Sequence, residues 1–459
     1  MTNVLILAAY LAALAVLGLL ARRRAKPGHE DFFLAGRRVG PLSLLLTMAA
    51  TNFSAFTVFG FAGAGFRIGW AYYPIMAFGT AFMALSFLYI GIPVREAARR
   101  LGAVTPPELI SLRFGNRALH AAYLVVMVAF TLPYLALQPI GAGLALEALL
   151  GIPFAWGATL VTAVGVAYVL LAGLRGDIWT DTLQGLVMLG AMTVAFVGIA
   201  AALGGFESAN RQVLARWPEL FARPGGGAQF TVGIWLSYMV LWSLCDPMFP
   251  QLFQRFIAAR DDRSLRLSAL LYPVVTATLF FLPVAIGVMG RLVEPALSGK
   301  ATDSILPLVV AAKLPGWAAA LVTAGGLAAL MSTMDSQLLT LTSMVSRDLR
   351  SLSRTRRFLP DRIVIIVLAL AGLALALRPV GSILDIATET FTGLAVLFPV
   401  TLAAIYWRRA NPWAGFASIL TGEVLVALYH FKLLPAFGLL PVIPVTLVTT
   451  LVLVAGSLA

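Results

Sequence analysis

The sequence is poor in the side chains on which water-soluble proteins and metalloenzymes depend. Only 12% of its 459 residues are charged, and it contains one cysteine and three histidines. The lone Cys245 excludes an internal disulfide, and three scattered histidines offer no metal cluster. The chain has no Gly-Lys-Ser/Thr loop of the Walker type and ends directly after its last apolar segment. We therefore expect neither ATP-driven transport nor a fused kinase or nucleotide-binding domain.

Apolar surface is what the sequence has in excess. Hydrophobic residues make up 60% of the chain and the mean hydropathy is +0.92, more than a soluble domain of this size can bury. The sequence predicts an all-α protein embedded in a lipid bilayer. Thirteen apolar segments can cross a hydrocarbon layer of about 30 Å; we call the first the leading helix and number the others 1 to 12. They span residues 2–21, 40–65, 71–94, 119–146, 153–174, 179–204, 231–253, 267–290, 316–345, 362–381, 385–407, 412–431 and 438–458.

The net charge of +13 reflects membrane topology and does not indicate a nucleic-acid partner. Of the 33 Lys and Arg residues, 24 follow the leading helix and helices 2, 4, 6, 8 and 10. By the positive-inside rule these loops face the cytoplasm, so we predict a prokaryotic inner-membrane protein with its N-terminus outside and its C-terminus inside. The first segment lacks a charged n-region and precedes R22-R-R, which favours a retained spanning helix over a signal peptide.

Two apolar segments contain a weak point at mid-depth. Helix 1 carries A49-A-T-N-F-S-A-F-T57, whose side chains compete for backbone hydrogen bonds, and helix 6 carries C245-D-P-M-F-P-Q251, with two prolines and an acid. In hydrocarbon, non-helical backbone is tolerated only where it is buried in protein or lines a cavity. Kinks in packed helices would explain either break alone. Helices 1–5 and 6–10 start from opposite sides, and each unit has its first helix interrupted, which is typical of inverted-repeat secondary transporters.

Helix 8 supplies candidate oxygen ligands. In G325-G-L-A-A-L-M-S-T-M-D-S-Q337, small or hydroxyl side chains recur at helical spacing at positions 325, 329, 332 and 336. Such a stripe also suits close packing of helices. Ser332 and Thr333, with Asp335 and Ser336 one turn later, add three hydroxyls and a carboxylate. A hard cation binds such oxygens, and an unwound helix 1 would add backbone carbonyls.

Four motifs follow one another along the chain: F33-L-A-G-R37, G173-L-R-G-D-I-W-T-D-T-L-Q184, Q254-R-F-I-A-A-R260 and M331-S-T-M-D-S-Q337. In this order they resemble the sodium:solute symporter family, the group of the sodium/glucose, sodium/proline and sodium/pantothenate symporters. The resemblance covers nearly the whole chain. Together with the two breaks it implies a leucine-transporter-type fold: a leading segment of residues 1–39, inverted repeats 40–204 and 205–407, and two peripheral helices in 408–459. It also implies a sodium-coupled symporter, not an enzyme, that imports a small organic solute by alternating access.

The resemblance implies sodium ligands at two places. The main site would use three backbone carbonyls and two hydroxyls, those of Ala50, Phe53, Ala329, Ser332 and Thr333. Some members bind a second sodium between helices 5 and 8, which here corresponds to Asp181, Asp335 and Ser336. The alternative for these acids is an ion pair with a cytoplasmic arginine such as Arg175 or Arg347.

The resemblance also places the solute between helices 1, 2, 3, 6 and 10. The corresponding residues are Asn52, Thr57, Tyr134, Gln138, Trp242, Asp246 and Glu389. Some members carry an acid where this chain has Asn52, and sugar-type members carry Asn. Ordinary packing is the alternative for the aromatic side chains, and Asp246 could bind a cationic group, carry a proton or pair with a basic residue. Arg67 at the outer end of helix 1, together with half-helix N-termini, favours a carboxylate-bearing solute.

Two other classes of function stay open at this point. In a proton-coupled carrier, titration of Asp246, Asp181 or Asp335 would replace sodium binding. In a non-transporting membrane sensor, the chain would signal through a partner protein, and the lack of an output domain argues against this class.

Overall fold

The computed structural model describes residues 2–24, 29–352 and 360–459, and every regular element in these ranges is a helix. Eight of the described helices are long and apolar enough to cross a membrane, or ten if each of two bent pairs is one span. Helices coincide with all thirteen predicted segments. Their bounds are Thr2–Arg24 (leading helix), Pro41–Asn52 and Phe61–Ile68 (1), Tyr73–Ser86 and Ile92–Leu101 (2), Arg117–Leu150 (3), Phe154–Ala202 (4 and 5), Val232–Cys245 and Pro250–Ala258 (6), Asp262–Gly290 (7), Gly316–Leu352 (8), Asp361–Ala376 (9), Ile383–Ala395 and Phe398–Tyr406 (10), Pro412–His430 (11) and Val442–Leu458 (12).

Helices 4 and 5 both lie within Phe154–Ala202, as the spans Phe154–Leu171 and Gly176–Ala202. A straight helix would separate Tyr168 from Thr180 by about 18 Å along its axis. Their hydroxyl oxygens instead lie 2.9 Å apart, so the chain turns sharply between the two spans. The side chain of Arg175, a predicted partner for the helix 5 acid, lies outside the described residues.

Both predicted weak points are breaks in the structure. Pro41–Asn52 (helix 1a) meets Phe56–Ala71 (helix 1b) at 60°, and Val232–Met248 (helix 6a) meets Pro250–Ala258 (helix 6b) at 53°. Phe53 and Phe249 are extended at the two junctions. Phe249 precedes Pro250, and a proline disfavours helical backbone in the residue before it.

Helix 8 lies at the centre of the bundle and touches the break in helix 1. In the most apolar 18-residue stretch of helix 8, 89% is buried, whereas in the corresponding stretch of helix 11 only 28% is buried. Helix 1b packs backbone to backbone on helix 7, because a β-carbon at Gly65 would collide with the carbonyl of Val284, and one at Gly287 with the carbonyl of Ala62. Glycines at these contacts let the two helices approach closely.

Backbone hydrogen bonds join helices 1a and 6b at the end predicted to face the cytoplasm. The Val39 N–H donates to the Ala258 carbonyl at 3.3 Å, and the Val39 carbonyl accepts from the Arg260 N–H at 3.0 Å. The Arg99 guanidinium, at the end of helix 2, donates to the carbonyls of Ala259 and Arg260 at 3.1 and 2.7 Å. We call this set of contacts the cytoplasmic latch.

Candidate functional site

The break in helix 1 leaves carbonyl oxygens at the C-terminal end of helix 1a without partners in their own helix, as at any helix end. Hydroxyls of helix 8 reach them. Ser332 Oγ donates to the Ala50 carbonyl at 2.8 Å, and Thr333 Oγ1 lies 2.9 Å from the Thr51 carbonyl and 3.4 Å from that of Phe53. The main sodium prediction therefore names groups that the structure brings together.

The Ala329 carbonyl completes this cluster from within helix 8. It lies 2.9 Å from Ser332 Oγ and 3.3 Å from Thr333 Oγ1. All five predicted ligand groups are neutral oxygens, and all five residues are buried. Carbonyls at a helix C-terminus also carry partial negative charge, which favours a cation. The donor set fits a sodium ion, and the Thr51 carbonyl is a member that the sequence did not indicate.

The second predicted sodium position contains a cation that belongs to the chain. Arg255 of helix 6b is 1% exposed, and its Nη2 lies 2.9 Å from both Asp177 Oδ2 and Asp181 Oδ2. The same nitrogen donates to Ser336 Oγ at 2.7 Å, and Nε donates to Thr47 Oγ1 at 2.9 Å. One guanidinium therefore links helices 1a, 5, 6b and 8. Sequence analysis counted Arg255 among the basic residues of the cytoplasmic loop after helix 6. The structure corrects this, because helix 6b continues inside the bundle and carries Arg255 with it.

The other residues predicted near this position lie apart from the arginine. Asp335 takes no part in the Arg255 ion pairs, and its Oδ1 has no hydrogen-bond partner among the described residues. Arg347, the other predicted partner for these acids, binds Glu108 at 3.0 Å instead. The pair of acids on helix 5, Asp177 and Asp181, is the signal that sequence analysis missed. Two carboxylates four residues apart share one helix face and require a counter-charge inside a membrane protein.

A closed cavity lies at the level of the two helix breaks. Five predicted solute residues line it: Asn52, Thr57, Tyr134, Trp242 and Asp246. Five aromatic residues that were not predicted complete the lining: Phe56, Phe61, Phe249, Phe280 and Phe391. None of the ten is more than 8% exposed. The cavity measures about 10 Å³, which is room for about one water molecule, so the walls must part before a solute enters.

Two of the predicted solute residues do not line this cavity. Gln138 lies behind the break, where its Oε1 accepts from the Ala55 N–H at 3.0 Å and caps the start of helix 1b. Glu389 is a correction: its side chain is 60% exposed and lies 3.2 Å from His430 of helix 11, on the far side of helix 10. Helix 10 contributes Phe391 to the cavity instead.

The outer end of helix 1b is tied to two other segments. Arg67 Nη1 lies 3.5 Å from Asp303 Oδ1 and also donates to Thr302 Oγ1. The other carboxylate oxygen of Asp303 accepts from the Ile383 N–H at 2.7 Å, at the start of helix 10. Burial raises the pKa of Asp303 to about 6, although Arg67 opposes the shift. The sequence suggested that Arg67 is a free charge that steers a carboxylate solute. The structure corrects this, because Arg67 is paired with the acid Asp303.

We expect loss of this outer contact to expose the cavity from outside. Arg67→Ala and Asp303→Asn should each increase the rate at which a membrane-impermeant maleimide labels Cys245, which is fully buried beside Asp246. Asp303→Asn mimics the protonated carboxyl that forms as the pH falls through about 6. The double variant should add little to either single change, since both remove the same contact. Labelling at the wild-type rate in all three variants would contradict this.

Several proteins similar to this chain are named as solute transporters. The chain is 29% identical to the sodium/pantothenate symporter of Escherichia coli (strain K12), over 99% of this chain and 96% of that protein. It is 24% identical to the high-affinity proline transporter PutP of Bacillus subtilis (strain 168), over 92% of this chain and 93% of the relative.

Solved structures show the same fold. A Na⁺-coupled sialic acid symporter in a substrate-bound outward-open state has a TM-score of 0.81 at 20% identity and covers all of this chain, which in turn covers 98% of it. Mhp1, a nucleobase-cation-symport-1 transporter in a closed conformation, has a TM-score of 0.66 at 15% identity, with 94% and 95% coverage. The model of one family matches residues 32–422, which include both broken helices and the helix 8 hydroxyls. The chain therefore belongs to the sodium:solute symporter family and is a sodium-coupled transporter.

Proposed function

We propose that this protein imports a small organic solute with sodium by alternating access, and that the coupling ion binds between helix 1a and helix 8. The observation that supports this most directly is the contact of the Ser332 and Thr333 hydroxyls with the free carbonyls of helix 1a. A sodium ion would join the two helices through those oxygens. The solute cavity begins at Asn52, directly after these carbonyls, so ion binding at the end of helix 1a would position one wall of that cavity.

We propose that Arg255 fills the place of a second coupling ion. Its guanidinium already pairs with both Asp177 and Asp181, so a sodium ion there would have to compete with a fixed cation. Sodium activation of uptake should then have a Hill coefficient near one. A coefficient near two that falls in Asp181→Asn would instead support a second sodium held by Asp181, Asp335 and Ser336.

The proposed orientation follows from the basic loops, with the N-terminus outside and the C-terminus in the cytoplasm of a bacterial cell. In this orientation the Arg67–Asp303 contact faces outward and the cytoplasmic latch faces inward. Addition of a membrane-impermeant label to intact cells, with single cysteines placed after helix 10 or helix 11, would test it. Labelling of the site after helix 10 from outside would reverse the assignment.

The function is tested by uptake into proteoliposomes under separate sodium and proton gradients. Pantothenate and proline come first among the solutes because the relatives are named for them, followed by sugars and monocarboxylates. We expect uptake that requires an inward sodium gradient. Uptake driven by protons alone would favour a proton-coupled carrier. Binding of a solute without transport of any would favour a membrane sensor.

Sodium binding can be measured before a solute is known. A ligand that binds only the folded state raises its melting temperature, so sodium chloride should stabilise the purified protein more than potassium chloride does. Equal melting temperatures in the two salts would contradict the proposed ion site.

A further inference from the structure

Of the ten described residues that line the closed cavity, Asp246 is the one that carries a charge. It is 1% exposed, its Oδ1 receives a weak contact from Cys245 Sγ at 3.7 Å, and its Oδ2 has no hydrogen-bond partner in the described ranges. None of the described Lys and Arg residues forms an ion pair with it. The buried arginine of helix 6b, Arg255, is held by Asp177 and Asp181. Because a buried charge without a partner is costly in a membrane protein, an ionised Asp246 requires a positive group, and the solute is a source of one.

The walls around this carboxylate are aromatic. The rings of Phe56 and Trp242 are stacked, with centroids 5.3 Å apart, and the Phe391 ring stands edge-on to both at 5.7 and 5.2 Å. Phe249 and Tyr134 continue the wall, at 4.8 and 4.9 Å from Phe391. The faces of such rings attract cations, and several rings around one point form the kind of cage that recognises methylated ammonium groups.

The break in helix 1 offers little to an anionic solute. A half-helix N-terminus attracts carboxylates through its free N–H groups, but two of these groups are engaged at the start of helix 1b. The Ala55 N–H donates to Gln138 Oε1 at 3.0 Å, and the Phe56 N–H donates to Ser54 Oγ at 3.2 Å. The ten described residues that line the cavity include no Lys, Arg or His. A solute whose only charge is a carboxylate would therefore meet Asp246 without a compensating side chain in this lining.

We propose that the solute carries an ammonium group, which pairs with the Asp246 carboxylate and lies against the faces of Trp242, Phe56 and Phe391. The inference rests on the proposed function only in taking this cavity as the solute site. The inference favours proline over pantothenate in the transport screen, because proline carries an ammonium group and pantothenate does not. The group enters and leaves the cavity with the solute, so Asp246 needs no permanent partner in the protein.

The experiment measures binding to purified protein in lipid nanodiscs with probe pairs that differ in one atom or group. Choline and glycine betaine are each compared with the carbon analogue in which a tert-butyl group replaces trimethylammonium. Proline is compared with cyclopentanecarboxylate, and pantothenate is added as an anion without ammonium. Each probe is tested in sodium chloride and in potassium chloride. We expect at least one ammonium probe to bind and its carbon analogue not to bind.

Substitutions then test whether the Asp246 carboxylate is the group that binds the ammonium probes. Asp246→Asn keeps the shape and removes the charge, so it should weaken the ammonium probe by about 30-fold or more, as loss of one partner of a buried charge pair does. Trp242→Leu should also weaken it, whereas Trp242→Phe should retain most of the affinity. Glu389→Gln removes an exposed acid outside the cavity and should bind like the wild type.

Several results would overturn the proposal. These are binding of pantothenate or cyclopentanecarboxylate when no ammonium probe binds, failure of every ammonium probe, or wild-type affinity in Asp246→Asn. The sodium-dependent rise in melting temperature must persist in Asp246→Asn, which shows that the variant is folded and retains its ion site. If the wild type lacks that rise, the proposed sodium coupling fails, while the ammonium binding measured in potassium chloride still decides this inference.

Discussion

Replacement of Arg255 by methionine is expected to lower the stability of the folded protein by about 3–5 kcal/mol, the typical cost when one partner of a buried ion pair is removed. The substitution leaves Asp177 and Asp181 as two buried carboxylates without a cation. The change is measured as a lower melting temperature and a lower yield of monodisperse protein in detergent. Arg255→Lys should recover part of the loss, because an ammonium retains the charge but lacks the planar fork of the guanidinium.

Further variants separate the ion pair from other effects. Arg260→Met removes an exposed arginine whose partner, Asp261, is also at the surface, so it should cost no more than about 1 kcal/mol. Adding Asp177→Asn and Asp181→Asn to Arg255→Met removes the excess negative charge and should restore much of the melting temperature. If Arg255→Met alone is as stable as Arg260→Met, the ion pairs of Arg255 with Asp177 and Asp181 do not stabilise the folded protein.

Ser332→Ala and Thr333→Ala should each raise the sodium concentration needed for half-maximal stabilisation or uptake by at least about tenfold, since even outer-shell partners of metal ligands cost that much. Each change removes an oxygen that reaches a carbonyl of helix 1a. The apparent KM for the solute should rise less, because the solute responds only through coupling, typically about 1–3 kcal/mol. Sodium titration of melting temperature and of uptake measures both effects.

The controls for this prediction lie on the same helix. Thr323 is a buried hydroxyl of helix 8 that donates to Ala319 within the helix and not to helix 1a, so Thr323→Ala should leave the sodium requirement unchanged. Thr333→Ser keeps the hydroxyl and should retain sodium binding. Unchanged sodium dependence in both alanine variants would mean that the helix 8 hydroxyls serve only packing.

The sequence was sufficient for those regions of the site that depend on backbone chemistry. Proline residues and short polar side chains compete with or remove backbone hydrogen bonds of a helix, and their clustering allowed the breaks at Asn52–Ala55 and Asp246–Phe249 to be predicted. Adjacent hydroxyls at Ser332 and Thr333 indicated the element that meets the first break. The predicted ligands of the main sodium site follow from these two facts and the family resemblance.

The sequence was insufficient where the outcome depends on how a helix is rotated in the bundle. Glu389 and Phe391 are separated by about 200° around helix 10, and the charged residue was selected although the aromatic residue faces the cavity. Arg255 follows the predicted end of helix 6 by two residues and looked like a loop arginine. Only the three-dimensional structure shows that helix 6b extends inward and carries this charge to Asp177 and Asp181.

The composition of the cytoplasmic latch has a consequence for how the inner side of the protein opens. Its contacts are hydrogen bonds between main-chain groups and one guanidinium at the rim, and water can replace each partner as soon as the helices separate. Bonds between neutral groups contribute about 0.5–1.5 kcal/mol each and those of a charged guanidinium about 1.5–3 kcal/mol, so the latch contributes several kcal/mol, comparable to the free-energy difference between alternative states of a protein. The outer side closes with an ion pair whose acid is buried, and on the inner side the buried pairs of Arg255 with Asp177 and Asp181 lie behind the latch. Opening on either side would therefore bring charged groups into water, and the latch is the part of the inner closure whose partners water replaces most easily.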